Sequence, residues 1–400
     1  MTLVVSRGGR SAGFPWPTGL FSDTGKMAET KIEWTHLRKP TGQVVKGYTY
    51  NHWRGCQHAV LPGGEGFEDD PACGNCYAEL MSRRNPKVLG VWGKEGTRVL
   101  ASEAMRQKPF EWNAAAKRDG YPRLVFAFSL GDVFENWMGQ VSDHHGEPLW
   151  VHEGLGDVRS GKDDGWMAVN GWRPLNLHDC RRNFFQGIVD RTPWLIWLVL
   201  TKRPENIVPF LPRRADFSTH RSNVWLGTSI GTNVAMRMRA MILAASRRLF
   251  CDTVFWSVEP QKEELDAERF LLDPAHSPDW VIGGGESGGF KDAHPYHIDW
   301  AKSLIDQCQR AGVAYFQKQL GRVPVIGENT PEMYRAKVHL EMEWPEGTCF
   351  GNPTSDPHLN GRVVLLKHDK GGDIDEWPAS LQVRRHPYIR IPAADAAAIA

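Results

Sequence analysis

The sequence predicts an α/β fold: a partial or full TIM-like barrel of six to eight strand–helix units, followed by a small C-terminal appendage. Three observations predict it. Short apolar runs recur from residue 48 onward, each nearly free of charge inside, as strands buried on both faces are. Segments with helical spacing lie between them, and strand–helix alternation implies parallel pairing with right-handed crossovers. Almost every apolar run ends in a glycine or polar signature, and in α/β barrels the C-terminal strand ends form the active-site face.

Residues 1–26 are rich in Gly, Ser, Pro and Thr and show no apolar period, so they read as a disordered extension, with Met27 as the natural start. The barrel occupies 27–321. Its strand runs are 48–53, 124–130, 194–200, 224–230, 254–258, 280–283 and 313–316. Helices are expected at 76–84, 179–189, 233–245, 263–271 and 298–311. The last is the clearest: Ile298, Ala301, Leu304, Ile305 and Cys308 share one helical face, and Gly312 stops it. Residues 136–178 form an insertion rich in Gly, Asp, His and Trp, which reads either as a lid or substrate clamp or as unstructured decoration. From 322 to 400 the strand–helix rhythm is lost. Prolines, charges and short β-like runs such as 362–367 read there as an appendage packed on the barrel, with the Ala-rich tail beyond Pro392 frayed.

Composition narrows the class of partner. A net charge of +1 gives no global field toward nucleic acid or anionic membrane, and pairs such as Arg181-Arg182 or Arg247-Arg248 read first as solvated surface. The 17 Trp read mainly as core. Seven cysteines, an odd and scattered set, fit no disulfide framework, which favours a reducing cytoplasm. No apolar run is long enough for a membrane span, and the N-terminus lacks the pattern of a secretory signal.

Cys56, Cys73 and Cys76 carry the strongest chemical signal. Three thiolates can hold a metal while leaving one of four positions open, whereas structural zinc sites fill all four. An iron–sulfur cluster with one free iron fits that pattern. The rival is zinc, with His58, two residues after Cys56, completing a Cys3His set. The protein would then be a zinc-stabilised nucleic-acid- or partner-binding protein without catalysis. A third reading is a barrel hydrolase using Glu259 and Glu286. Around the cysteines the strand ends supply Ser129 and Asp132, Lys202 and Arg203, Ser229, Glu259, Gly284-Gly285-Glu286 and Lys318. Parallel strands would open all of these on one mouth, with Asp132, Glu259 and Glu286 facing a shared cavity. Lys202, Arg203, Glu259 and Lys318 read as grips for a phosphate or an amino-acid carboxylate, or as salt bridges between neighbouring loops. The glycines at 284 and 285 suit close backbone approach to a ligand.

A longer series of motifs frames these residues. Lys31-Ile32-Glu33-Trp34-Thr35, Gly55-Cys56 and Cys73-Gly74-Asn75-Cys76-Tyr77-Ala78-Glu79 come first. Leu200-Thr201-Lys202-Arg203-Pro204-Glu205, Asn223-Val224-Trp225-Leu226-Gly227 and Val258-Glu259-Pro260 follow. Then come Trp280-Val281-Ile282-Gly283-Gly284-Gly285-Glu286-Ser287-Gly288, Phe316-Gln317-Lys318-Gln319, Glu376-Trp377-Pro378 and Leu381-Gln382-Val383-Arg384. With these motifs, over residues 31–387, the chain resembles the phage and bacterial family of three-cysteine-motif proteins related to radical SAM enzymes.

The resemblance implies a radical-SAM-type partial barrel with a [4Fe-4S] cluster held by Cys56, Cys73 and Cys76 on the loop after the first strand. It implies S-adenosyl-L-methionine as the cofactor, cleaved to a 5′-deoxyadenosyl radical. By analogy, Tyr77, Ser129, Asp132, Ser229, Gly284 and Gly285 contact the cofactor, and Glu259, Glu286, Lys202 and Lys318 are the catalytic groups, with Glu286 on cofactor or on substrate. The phage setting implies a modified DNA or nucleotide substrate, such as an amino-acid-modified thymidine rearranged by a radical isomerase, together with a reductant and the host cytoplasm. Two departures stand out. Residues 57–72 separate Cys56 from Cys73, a longer gap than usual, and Tyr77 follows the last cysteine instead of preceding it. The gap is glycine-rich and acidic, so it can loop out without moving the sulfurs.

Overall fold

The computed structural model describes residues 29–63, 66–162, 165–327, 344–353 and 362–392. The extension at 1–26, Met27 and the tail beyond Pro392 lie outside these residues. Seven strands form the central sheet: β1 (Tyr48–Tyr50), β2 (Arg123–Ala127), β3 (Leu195–Thr201), β4 (Val224–Ser229), β5 (Thr253–Val258), β6 (Trp280–Gly284) and β7 (Ala314–Gln319). They lie side by side in chain order, every adjacent pair parallel. The sheet curls into a half-barrel with β1 and β7 at its edges, so the fold is a mixed α/β one with a partial, not a closed, barrel. Chain-order parallel strands are what same-handed crossovers produce when none skips a neighbour.

Five helices bear on the sheet and its loops: α1 (Tyr77–Arg84), α2 (Glu103–Asp119), α3 (Leu177–Arg182), α4 (Asn233–Phe250) and α5 (Ile298–Ala311). α5 has the bounds its periodicity predicts, and Gly312 ends it in the left-handed conformation, φ 71°. α2 lies outside the expected set. Pro109 argues against a helix there, yet Ser102 caps its start through Met105 N–H and left-handed Gly120 ends it. The helix expected at 263–271 shrinks to Glu268–Leu271. The residues before it are committed elsewhere: Glu263 accepts from Asn233 N–H at 2.5 Å, and Asn233 accepts from Asp266 N–H at 3.0 Å.

The two faces of the sheet bury different partners. On the outer face, Trp197, Leu226, Val254 and Tyr315 pack against Trp112 of α2, Met236 and Leu243 of α4, and Ala301 and Leu304 of α5. On the inner face, Phe126, Leu198, Trp225, Phe255, Ile282 and Phe316 surround Trp34, Leu37 and Val45 from the segment before β1. Trp34 meets Phe126 edge-on at 4.7 Å between centroids and Trp280 at 6.1 Å. This plug fills the half-barrel near the strand starts and leaves the C-terminal strand ends to other side chains. The Trp34 indole N–H has no hydrogen-bond partner among the described residues. Trp34→Phe is therefore expected to lose no hydrogen bond, so that its cost in urea unfolding, about 1–3 kcal/mol, is that of the smaller ring and the cavity it leaves. A cost well above that range would remove this account of the plug.

The insertion at 136–178 is not unstructured. Leu149–His152 pairs antiparallel with Val158–Ser160 on one side and Trp172–Pro174 on the other, and Leu149 and Val151 join the outer-face core. The described part of the appendage is a four-stranded sheet in the order Tyr296–His297, Pro324–Ile326, Arg362–Leu365, Cys349–Pro353. Its first strand comes from the loop before α5, so the appendage is continuous with the half-barrel. Beyond it, Val383 O accepts from Gln317 N–H and Arg385 N–H donates to Tyr315 O, both at 2.8 Å, covering the exposed edge of β7. Among the described residues no helix is long and apolar enough to cross a membrane.

Candidate functional site

Side chains alternate between the faces of a strand. Counting two residues on from the inner layer of Leu198, Trp225, Phe255, Ile282 and Phe316 therefore leads along that face to the strand ends. Lys202, Ser229, Ser257 and Glu259, Gly284 and Lys318 follow on it. The long loop after β1 carries the three cysteines over the same ends. It pairs with the loop after β2 through a parallel bridge between Gly55 and Gly131.

The cysteine loop is held in two halves. Cys73 ends a short turn, Pro71–Cys73, and Cys76 stands three residues on, at the N-cap of α1. Asp70 caps the turn through Ala72 N–H at 2.8 Å and forms a buried ion pair with Arg239 of α4 at 2.7 Å. Asn75 reaches across to Asp292 O at 2.7 Å. Cys56 lies in the other half, beside Glu135, Arg203, Asp132 and Arg98. Burial pushes the Cys56 thiol well up, Glu135 adds to this, and Arg203 opposes it. Burial also raises Cys73, while the Lys202 ammonium pulls it back. All seven cysteines are free thiols. Among the described residues no three His, Cys, Asp or Glu side chains converge as a metal's ligand set would. The close mutual approach expected of Cys56, Cys73 and Cys76 is thus not pre-formed.

His58 is occupied. Its Nδ1 lies 2.7 Å from Asp69 and its Nε2 2.8 Å from Glu79 of α1. Burial disfavours the imidazolium, but hydrogen bonds to Asp69 and Glu79 outweigh it and hold the His58 pKa above its ordinary value.

The remaining expected residues separate into those that meet at the mouth and those turned elsewhere. The Tyr77 hydroxyl donates to Ser129 O at 2.6 Å, and Glu259 lies within electrostatic reach of it. Ser129 Oγ accepts from Asn51 at 3.0 Å. Lys318 is ion-paired with Glu259, which also accepts from Gln319 at 3.1 Å. Lys202 has Cys73, Asp70, Cys76 and Arg239 as ionisable neighbours and makes no ion pair with any described residue. Ser229 presents its carbonyl to Arg239 at 2.9 Å.

Asp132 turns into a network of its own. It accepts from Thr201 Oγ1, Lys202 N–H, Phe134 N–H and Arg203 at 2.8 to 3.0 Å. Glu286 binds Lys262 at 2.7 Å and His294 N–H at 2.8 Å. A Cβ at Gly284 would meet Gln319 O at 3.1 Å, and one at Gly285 would meet Leu320 O at 2.6 Å. The room these two glycines make is filled by the chain's own backbone at the end of β7.

Sequence reasoning did not single out Asp70, Arg98, Glu135, Arg239 or Lys262. The signal available for Glu135 was its position three residues after Asp132, in a polar stretch that follows a buried strand.

A family model described as "Protein of unknown function (DUF5131)" matches residues 29–149 and 177–349. The unmatched interval holds most of the small antiparallel sheet of the insertion. No curated protein and no solved structure matches the chain.

Proposed function

We propose that this chain, which belongs to the family DUF5131, is an enzyme of the radical SAM type. The observation that carries the reading is positional. Seven parallel strands in chain order curl into a half-barrel, and the loop after the first holds three free thiols over the polar strand ends. The donor set fits an iron–sulfur cluster in its chemistry: three thiols on one loop, none in a disulfide. The zinc alternative asks His58 for a fourth ligand, but both its ring nitrogens already face carboxylates. The hydrolase alternative asks Glu259 and Glu286 for free carboxylates, and each is tied to a lysine, Lys318 and Lys262.

On this reading Cys56, Cys73 and Cys76 hold the cluster. When bound, cluster and S-adenosylmethionine supply the electron and the radical chemistry needed to remove an unactivated hydrogen. Lys202 offsets negative charge at Cys73 and Cys76. Tyr77, tied to Ser129, and the Glu259–Lys318 pair stand near one another at the mouth, the pair adding little net charge. The resemblance to phage proteins adds a modified nucleotide as substrate, an amino-acid-modified thymidine undergoing radical isomerisation, in a reducing cytoplasm with a reductant as partner.

The test is anaerobic reconstitution with iron and sulfide, then incubation with S-adenosylmethionine and dithionite. Release of 5′-deoxyadenosine is the expected result. A chain that retains zinc stoichiometrically and releases none would replace this reading by the non-catalytic one.

A further inference from the structure

The main chain around Cys56 is gripped by a buried charged network that the proposed reaction does not use. Gly55 N–H donates to Leu130 O at 3.0 Å, and Cys56 O accepts from Gly93 N–H at 2.8 Å. Gln57 N–H donates to Glu135 Oε1 at 2.7 Å. The carbonyls of Gln57 and His58 accept from Arg203 Nη2 at 2.9 and 3.1 Å. Backbone groups on both sides of the thiol are therefore fixed from loops distant in sequence.

Glu135 is the centre of this grip. It is fully buried and takes both Nε and Nη2 of the equally buried Arg98, at 2.7 and 2.6 Å. Arg98 Nη2 also reaches Gly93 O at 3.3 Å, so one guanidinium braces both the carboxylate that holds Gln57 and the residue that holds Cys56. The guanidinium lies 4.8 Å over the Trp137 ring. Arg181 donates to Val133 O at 2.6 Å and to Glu135 O, which fixes the segment carrying the carboxylate. Gly55 completes the arrangement: its φ is 104°, and a Cβ there would meet Thr97 O at 2.4 Å.

A buried ion pair adds little net stability over apolar packing of the same volume, because desolvation consumes most of its Coulombic gain. What this pair supplies is direction, a carboxylate oxygen aimed at the peptide N–H next to one cysteine. We propose that Glu135, held by Arg98, is a positioning residue that fixes the Cys56 thiol at the mouth, independently of the Asp70–Arg239 anchor under Cys73 and Cys76. The proposal deepens the reading of Cys56 as a cluster ligand and rests on that reading for its purpose. The grip itself is a property of the metal-free chain.

The test uses the full metal-free chain and iodoacetamide, with alkylation of each cysteine followed by peptide mass spectrometry. Arg98→Met with Glu135→Leu removes both charges together, so that neither is left buried alone. Glu135→Gln keeps an acceptor for Gln57 N–H. In the double variant Cys56 is expected to react about tenfold faster than in the wild type, the scale set by loss of a hydrogen bond to a charged group. Glu135→Gln should give a smaller rise, and Cys73 and Cys76 should keep their wild-type rates. An unchanged Cys56 rate in the double variant overturns the proposal. So does an equal rise at Cys56, Cys73, Cys76 and the core residue Cys308, which marks loosening of the whole fold. If the wild type takes up no iron while Cys56 alone gains reactivity in the variant, the grip stands and the cluster reading falls.

Discussion

Asp132→Ala is expected to lower the free energy of unfolding by about 3–5 kcal/mol, the range for breaking a buried ion pair from one side. The aspartate stands just past β2, its side chain almost wholly buried, and serves four donors. Two are backbone N–H groups, of Phe134 and Lys202; the others are the Thr201 hydroxyl and the Arg203 guanidinium. Removing the carboxylate leaves Arg203 charged, buried and unpaired, and that uncompensated charge is the dominant cost. Asp132→Asn keeps an acceptor oxygen and the volume and should lose less, though it still leaves Arg203 without a counter-charge. The same substitution weighs the two roles open to Asp132. A residue that mainly contacts cofactor would leave the unfolding midpoint in place when truncated. A residue that joins the ends of β2 and β3 shifts it by several degrees or more before any ligand is added. Arg203 also holds the carbonyls of Gln57 and His58, so Asp132→Ala should raise Cys56 reactivity as well. Wild-type stability in Asp132→Ala would remove this network from the account of the fold.

The half-barrel was readable from sequence because strands buried on both faces must be apolar throughout, so seven charge-poor runs stand out against amphipathic helices. α5 was readable to the residue, since its buried face and its terminating Gly312 are both local signals. Closure was not. No residue in β1 or β7 announces whether the two edges meet, and what covers β7 is Val383 and Arg385, more than sixty residues further on. α2 was not among the expected helices; Pro109 lies inside it, and the tertiary packing of Trp112 and Ala116 overrides the proline's penalty. The strand-end rule put Lys202, Glu259 and Lys318 at the ends of β3, β5 and β7, and that is where they lie along the chain. Their use was not readable, because a charged loop residue carries no mark of the loop that faces it. Glu286 pairs with Lys262, and the Arg98–Glu135 and Asp70–Arg239 pairs join loops distant in sequence. The spacing of the cysteines placed three thiols on one loop. It did not reveal that Cys56 and the Cys73–Cys76 pair are anchored to different parts of the scaffold.

Replacing Cys56, Cys73 or Cys76 singly by alanine is expected to abolish iron retention and 5′-deoxyadenosine release, with the far-ultraviolet circular dichroism essentially unchanged. A cluster held by three thiolates has no protein donor in reserve: His58 is committed to Asp69 and Glu79, and no other described ligand set is present to replace a lost sulfur. The fold should survive because the thiols contribute little to it. Cys56 Sγ donates a hydrogen bond to Gln57 O, the adjacent residue, at 3.2 Å, and the Cys76 side chain makes no capping bond at the start of α1. Cys73 is buried, and its truncation should cost about 1 kcal/mol, the central value for a single substitution. Cys308→Ala is the control. It lies on the buried face of α5, its thiol raised by burial alone, and its removal should leave iron content at the wild-type level. Full iron content in Cys56→Ala would strike Cys56 from the ligand set and reduce the site to the Cys73–Cys76 pair. Loss of iron in Cys308→Ala to the same extent would trace the effect to the fold instead of the site. The informative pattern is complete loss at three positions on one loop and none in the core, because only a shared metal couples Cys56 to thiols held by a separate anchor.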